Sequence, residues 1–328
     1  MESSFVQSLM ANPESNSQLR LLRRAMNVLS QEGPSSAFRR AVWKMQYGRF
    51  ERRTGKPGFR SEIPDVIQFL GHDFELHPSK QGVSEELYLF QAHEPVSTRE
   101  YLGCLSPGDH VLDVGSNIGY YALLAADKVG AAGRVIGCEP SPGVFEILNN
   151  NIRRFGLGNI TVLPWAVGAR GGTLEFFESE IPNWGSLFKN SELRQTRATT
   201  VAAKTVDEIV REAAGFHPSA LRMDVEGAEL MVLEGACNVL HEYRPCLFIE
   251  FHNFALGWDK VREAIGELIR IGYHSATVIE RTWDQPWISA WMRERRRWSG
   301  TTEEMLTRVE SPSDSLVNST LIFILKGR

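Results

Sequence analysis

The stretch VLDVGSNIGYYALLAA, Val111 to Ala126, decides the fold. A short apolar run stops at Asp113, breaks into a turn spaced by Gly115 and Gly119, and resumes as an apolar pattern of helical period. This reads as a strand, a tight turn and a helix. The alternation continues through strand RVIGCE, helix FEILNNNIRRF and strand NITVLPWAV. Two extended segments, TLEFFES and ATTVAAKT, then flank a polar loop and lead into helix TVDEIVREA. Strand ALRMDV, helix GAELMVLEGACNVL, strand CLFIEF, helix WDKVREAIGELIRI and strands YHSATVIE and STLIFILKG complete the series. Strands alternating with helices of this length predict right-handed βαβ crossovers. The expected fold is therefore α/β, a doubly wound, mostly parallel sheet of seven core strands covered on both faces.

Two pieces precede this core. Residues 1–60 read as a basic helical arm, with Leu19, Leu22, Met26 and Leu29 on one helical face and Phe38, Val42 and Met45 on another. Residues 61–95 read as a lead-in of short strands and turns, and the domain proper, residues 96–328, opens with a helix over Val96 to Leu105. The arm holds eleven Lys/Arg against four acids, so it carries +7 and the remainder of a chain of net charge −4 carries −11. Arm and core are thus built for different partners. At 42% hydrophobic and 23% charged residues, the composition excludes disordered and fibrous classes and allows a large core. No uninterrupted apolar run of about 18 residues occurs, and the N-terminal residues lack a basic segment followed by an apolar one; a cytoplasmic protein without a membrane span is expected. Cys104, Cys138, Cys237 and Cys246 fall singly, without a CxxC pair, and are expected to be reduced core residues.

In a doubly wound sheet, ligands bind beyond the carboxyl ends of the strands where strand order reverses, beside the first strand-to-helix turn. A dinucleotide site would place GxGxxG there to bring a pyrophosphate to the helix N-terminus. Here the turn reads Asp113-Val-Gly115-Ser-Asn117-Ile-Gly119, with an acid two residues before the first glycine. That acid disfavours a pyrophosphate and suits a ligand with a cationic amino-acid end. The next strand ends in Gly-Cys-Glu139-Pro140, 26 residues after Asp113, which sets a carboxylate at the adjacent strand tip where it can accept hydrogen bonds from both hydroxyls of a ribose.

At these residues the chain resembles S-adenosylmethionine (SAM)-dependent methyltransferases of the Rossmann-like, seven-stranded class. More narrowly it resembles the FkbM-type family, through Glu94-Pro95, LDVGSNIGYY, GCEPSPGVFEILNNNI, ITVLPWAVG, and RMDVEGAELMVLEGA followed by RPCLFIEFH. The resemblance covers about residues 90 to 255. It implies SAM as cofactor, with Asp113, Gly115, Asn117 and Gly119 around its methionine part, Glu139 on its ribose, and Trp165 and Ala166 beside its adenine.

Methyl transfer from a sulfonium is an in-line displacement, so the protein mainly aligns acceptor, methyl carbon and sulfur. A hydroxyl acceptor must also lose a proton to a positioned base. The tips of the fourth and fifth core strands supply Asp224, Glu226, Glu250 and His252. The expected catalytic residues are Asp224 or His252 as base and Glu226 holding the acceptor. Asp224, Glu226 and Glu250 are also candidate ligands for Mg²⁺, an ion that prefers oxygen donors in octahedral geometry. Bland roles compete: Asp224 as a helix cap, Glu226 and Glu229 as acids in a first helical turn. The absence of a D/N-P-P-aromatic turn after the fourth core strand disfavours a nucleic-acid substrate.

Residues 281–316 form an insertion between the last two strands and hold RTWDQPWISAWMRERRRWSG, residues 281–300, with four of the chain's eight tryptophans. Trp287, Trp291 and Trp298 are expected on one helical face beside Arg293 and Arg295 to Arg297, a combination suited to peripheral membrane contact or an amphiphilic acceptor, or to packing as core. The polar loop Asn183-Trp184-Gly185-Ser186 is expected either to close over an acceptor or to be a surface turn. The reading that emerges is an O-methyltransferase acting on a hydroxyl of a sugar, glycolipid or other natural product, small or lipid-linked. A non-catalytic SAM-fold binding module is the rival, and an NAD-dependent oxidoreductase is disfavoured.

Overall fold

The computed structural model describes residues 59–179, 185–188, 195–252, 257–282, 294–310 and 319–327. The chain divides into two units, Met1–Phe59 and Arg60–Arg328. The predicted basic arm falls almost wholly on residues 1–58, outside the described residues.

The second unit opens with a hairpin of β1 (Val66–Phe69) and β2 (His72–Glu75), followed by α1 (Val83–Phe90) and α2 (Pro95–Gly103). Strands and turns alone were expected before residue 95, so α1 is a departure. Val83 and Leu87 are buried one turn apart, and Glu85 and Glu86 in the first turn complement the helix dipole. The hairpin is welded to the core: Asn151 accepts from the Glu75 N–H at 2.6 Å and donates to the carbonyls of Glu75 and Ile118.

The core then runs β3 (His110–Val114), α3 (Tyr120–Val129), β4 (Arg134–Cys138), α4 (Pro142–Phe155), β5 (Ile160–Leu163), β6 (Trp165–Val167), β7 (Gly172–Ser179) and β8 (Gln195–Lys204). It continues α5 (Val206–Glu212), β9 (Ala220–Met223), α6 (Glu229–Glu234), α7 (Cys237–Glu242), β10 (Cys246–Phe251), α8 (Trp258–Ile271), β11 (Tyr273–Thr282), β12 (Glu294–Thr301), α9 (Thr302–Glu310) and β13 (Ser319–Gly327). The main sheet has eight strands in the order β12-β11-β13-β10-β9-β3-β4-β5. From β10 to β5 all pairings are parallel, and β13 enters antiparallel between β10 and β11. The seven predicted strands are all present, with β12 added at the edge. Strand order reverses between β3 and β9, which puts the crevice for a ligand beyond their carboxyl ends.

Three local departures have physical causes. The predicted strand NITVLPWAV divides at Pro164, which has no N–H to continue a ladder. Consequently β5 stays with β4 while β6 leaves to join β8 and β7 in a separate three-stranded sheet. The predicted helix GAELMVLEGACNVL divides into α6 and α7 at Gly235-Ala236; a Cβ on Gly235 would lie 2.2 Å from the Gly168 carbonyl oxygen, so the backbone must pass there without one. Trp298 does not lie on a helical face with Trp287 and Trp291. It sits in β12, opposite Val278 of β11, half-buried against the main core, because the ladder with β11 imposes period two on residues 294–301. Trp287, Trp291 and Arg293 lie outside the described residues.

The main core fills one face of the sheet, where Val206 and Ile209 of α5 and Val261 and Ile265 of α8 join the fully buried Leu112, Leu221, Leu247 and Phe323 of the strands. All four cysteines are free, but only Cys138 is buried; Cys237 is exposed and Cys104 and Cys246 are half-buried. Among the described residues no helix is long and apolar enough to cross a membrane.

Candidate functional site

An open cleft of about 570 Å³, measured out to bulk solvent, lies at the carboxyl ends of β3, β4 and β9. Its walls include Gly115, Asn117, Glu139, Trp165, Ala166, Asp224 and Glu226, which brings seven of the sequence-predicted residues to one place.

The floor is the turn after β3. Gly115 and Ser116 both donate to the Cys138 carbonyl at the tip of β4, at 3.0 Å each. Gly115 has φ +83°, and a Cβ there would meet the Asp224 carbonyl oxygen at 2.0 Å. The glycine is thus required by the close approach of two strand-tip backbones. Asn117, left-handed at φ 50°, turns its N–H onto Glu139 Oε2 at 3.0 Å, and Ser141 donates its N–H to Glu139 Oε1 at 2.9 Å. Both oxygens of Glu139 are therefore fixed by backbone while the carboxylate borders the cleft. Burial pushes it up to about 7 despite these two donors.

On the opposite wall, Asp224 and Glu226 border the cleft. Asp224 caps no helix: α6 begins at Glu229 without a side-chain cap, and Asp224 Oδ2 accepts from Arg222 at 3.0 Å. Glu226 is neither in β9 nor in a helical turn. It has φ 49°, a conformation costing about 1–3 kcal/mol for a non-glycine residue. Ser186 Oγ donates to its carbonyl at 2.7 Å, and the neighbouring Gly185 and Leu187 line the cleft, so the described part of the 183–186 loop is a wall of the site.

Behind these acids stands His252, 2% exposed, immediately after β10. Its Nδ1 is 2.7 Å from Glu229 Oε1, and its Nε2 lies 3.2 Å from Glu226, 3.7 Å from Glu250 and 3.9 Å from Asp224. Burial opposes the imidazolium, but Glu226, Glu229 and Glu250 outweigh it and hold His252 well above its usual value. Burial likewise raises Glu226 to about 8, with His252 pulling it down and Asp224 and Glu229 pushing it up. His252 does not border the cleft, and the surrounding carboxylates favour its imidazolium form over the free base that the sequence expectation assigned to it. The Mg²⁺ trio is also revised. Asp224, Glu226 and His252 bring ligand atoms within 4.8 Å of one another, whereas Glu250 Oε1 is engaged by Arg281 at 2.7 Å.

Asp113 and Gly119 do not border the cleft. Asp113 is fully buried, and its Oδ1 accepts from Arg222 at 2.9 Å. Gly119 has φ +99°, a backbone conformation that a side chain would strain, and it starts α3 beside Leu148 of α4. Arg222 was not singled out in the sequence, yet it joins Asp113 to Asp224 and lies 4.0 Å over the Tyr121 ring. Its signal was available: a lone cation inside the otherwise apolar, wholly buried strand ALRM. Glu94, read only as part of a Glu-Pro signature, accepts from Tyr121 Oη at 2.8 Å and pairs with Arg281, which in turn holds Glu250.

Residues 113–275 match the family model described as Methyltransferase FkbM domain. The chain carries an FkbM methyltransferase domain. Hexuronic acid methyltransferase AglP of Haloferax volcanii is 31% identical over 144 residues, spanning 44% of this chain and 56% of AglP. Protein-L-isoaspartate O-methyltransferase 1 of Archaeoglobus fulgidus is 36% identical over 59 residues, 18% of this chain and 27% of that enzyme. The chain thus spans about half the length of AglP and about a quarter of the second relative. A solved FkbM methyltransferase from Methylobacillus flagellatus overlays with a TM-score of 0.33 and 17% identity, covering 71% of this chain and 48% of that one. The matched residues of the FkbM domain begin at Asp113 and extend into β11, so they contain both walls of the cleft.

Proposed function

We propose that the protein is a SAM-dependent O-methyltransferase whose acceptor is a hydroxylated small molecule, with a hexuronic acid or related sugar as the first class to test. The observation that carries this reading is a cleft with a backbone-fixed carboxylate on one wall, Glu139, and two cleft-facing carboxylates on the other, Asp224 and Glu226. SAM supplies, when bound, a methyl group on a positively charged sulfur. The protein residues fit it: Glu139 accepts from the ribose hydroxyls, Trp165 and Ala166 flank the base, and the Gly115–Asn117 turn receives the amino-acid end. Asp113 acts from behind, holding Arg222 and through it Asp224.

The acceptor hydroxyl lies beside Glu226, which takes the proton released as the oxygen gains its methyl group. Burial raises the Glu226 carboxyl, which makes its carboxylate a stronger proton acceptor than an exposed one. Asp224, held by Arg222, orients the acceptor, and His252 holds Glu226. A divalent cation beside these carboxylates would supply a Lewis acid for the acceptor oxygen. The sugar class is suggested by the AglP relative, whose name specifies a hexuronic acid.

The test is transfer of label from methyl-tritiated SAM to glucuronic and galacturonic acid glycosides and to neutral sugars. The reading predicts an alkali-stable ether on a hydroxyl and transfer slowed about 10²–10⁴-fold in Glu226→Gln. Label found only as an alkali-labile ester would move the reaction to the carboxylate and overturn the O-ether assignment.

A further inference from the structure

Three carboxylates converge on one imidazole nitrogen: Glu226, Glu250 and Asp224 lie 3.2, 3.7 and 3.9 Å from Nε2 of His252. A single N–H cannot serve all three. Arg281 answers Glu250 and Arg222 answers Asp224, but among the described residues no guanidinium reaches Glu226. Glu229, fully buried, spends Oε1 on His252 and on the Gly227 N–H, and its Oε2 has no hydrogen-bond partner among the described residues. This pocket is over-supplied with negative charge and oriented towards a point that borders the cleft.

We propose that Asp224, Glu226 and His252 form a site for one divalent cation of the Mn²⁺ and Fe²⁺ class. The proposal rests on the cleft assignment above and identifies what its acidic wall binds. Two features set the ion's class. The donor set mixes two carboxylates with an imidazole, which suits first-row transition ions better than Mg²⁺, for which oxygen ligands and retained waters are the rule. The histidine's other nitrogen is bonded to Glu229 at 2.7 Å, the carboxylate–histidine arrangement that fixes which nitrogen faces a metal. The cation takes the place of the Nε2 proton. Asp224 is held independently by Arg222, so two of the three ligands are set before the ion arrives. Because Asp224 and Glu226 border the cleft, the remaining coordination positions face the acceptor.

The experiment is calorimetric titration of MnCl₂, and separately MgCl₂, into chelator-stripped full-length protein, with the electron paramagnetic resonance signal of free Mn²⁺ as an independent count. The expected result is one Mn²⁺ per chain, bound at least ~10-fold more tightly than Mg²⁺. Glu226→Gln and His252→Asn should abolish it, Glu229→Gln should weaken it about 10–100-fold, the usual effect of losing a residue that orients a ligand, and Glu250→Gln should leave it in place. Glu226 borders the cleft and Gln keeps its shape, so its variant keeps the test valid should His252→Asn fail to fold. No saturable Mn²⁺ binding, equal binding of Mg²⁺, or indifference to Glu226→Gln overturns the proposal. S-adenosylhomocysteine titrated into the stripped protein separates the two readings. Cofactor binding without any Mn²⁺ site leaves the methyltransferase reading and removes this one; Mn²⁺ binding without cofactor binding does the reverse.

Discussion

On the Glu139 wall of the cleft, the carboxylate is held by backbone N–H groups from Asn117 and Ser141, 22 and 2 residues away in the chain. On the Asp224 wall the holding groups are side chains: Arg222 from β9, His252 after β10, Arg281 from β11 and Glu94 before α2. The first wall belongs to one βαβ unit and would survive most side-chain changes nearby. The second is an ion network whose members come from four places in the chain, with guanidinium and imidazolium groups among mutually repelling acids. Backbone fixation suits a cofactor whose shape never varies. A side-chain network leaves room for chemistry, because each carboxylate's proton affinity is set by neighbours that can be altered one at a time.

Breaking the Asp224 wall should have the largest effect. Glu226→Gln and Asp224→Asn are each expected to lower turnover about 10²–10⁴-fold, the usual worth of a positioned acid or base, while S-adenosylhomocysteine affinity stays at the wild-type value. Single-turnover transfer assays alongside calorimetry would check this. Near-normal rates in both variants would mean that alignment alone suffices.

The next effect is on stability and falls where the two walls join. Arg222→Met leaves Asp113 buried without its partner, and removal of one member of a buried ion pair typically costs about 3–5 kcal/mol. Urea unfolding should show a loss of that order; a loss under about 1 kcal/mol, the range of exposed pairs, would show that Arg222 is not holding the network.

The smallest effect is on pH dependence. Glu139 is raised in the fold to about 7 from an ordinary 4.5, so its contribution to stability is fully present below the ordinary value and is lost as pH rises through about 7. The ligand-free protein should therefore melt at falling temperature between pH 5 and pH 8, and Glu139→Gln should remove part of that slope. A slope unchanged by the substitution would place the titration elsewhere, on the Asp224 wall.

The same contrast explains what could be read in advance. The Glu139 wall was legible because its parts are local: LDVGSNIGYY and GCEP each encode a strand, a turn and the residue at its tip, and spacing puts them side by side. Glycine's reason was less legible, since Gly115 answers the Asp224 carbonyl from a strand more than a hundred residues away. On the Asp224 wall the residue types were visible but their partners were not. Whether His252 is a base or a buried cation depends on how many carboxylates the fold gathers round it, and Glu250 left the predicted metal trio because Arg281 reaches it. Edge strand β12 was hidden by tryptophans whose spacing mimics a helix, a pattern undone by pairing with β11.

The central claim is that one wall binds the cofactor and the other does chemistry. Titration of S-adenosylhomocysteine into the wild type, Glu139→Ala and Glu226→Gln tests it most directly. The account predicts saturable one-to-one binding that falls about tenfold to a hundredfold in Glu139→Ala, the equivalent of about 1.5–3 kcal/mol for hydrogen bonds to a charged group, and is unchanged in Glu226→Gln. Binding that survives the loss of Glu139 in a folded protein, or that vanishes with Glu226, would contradict it.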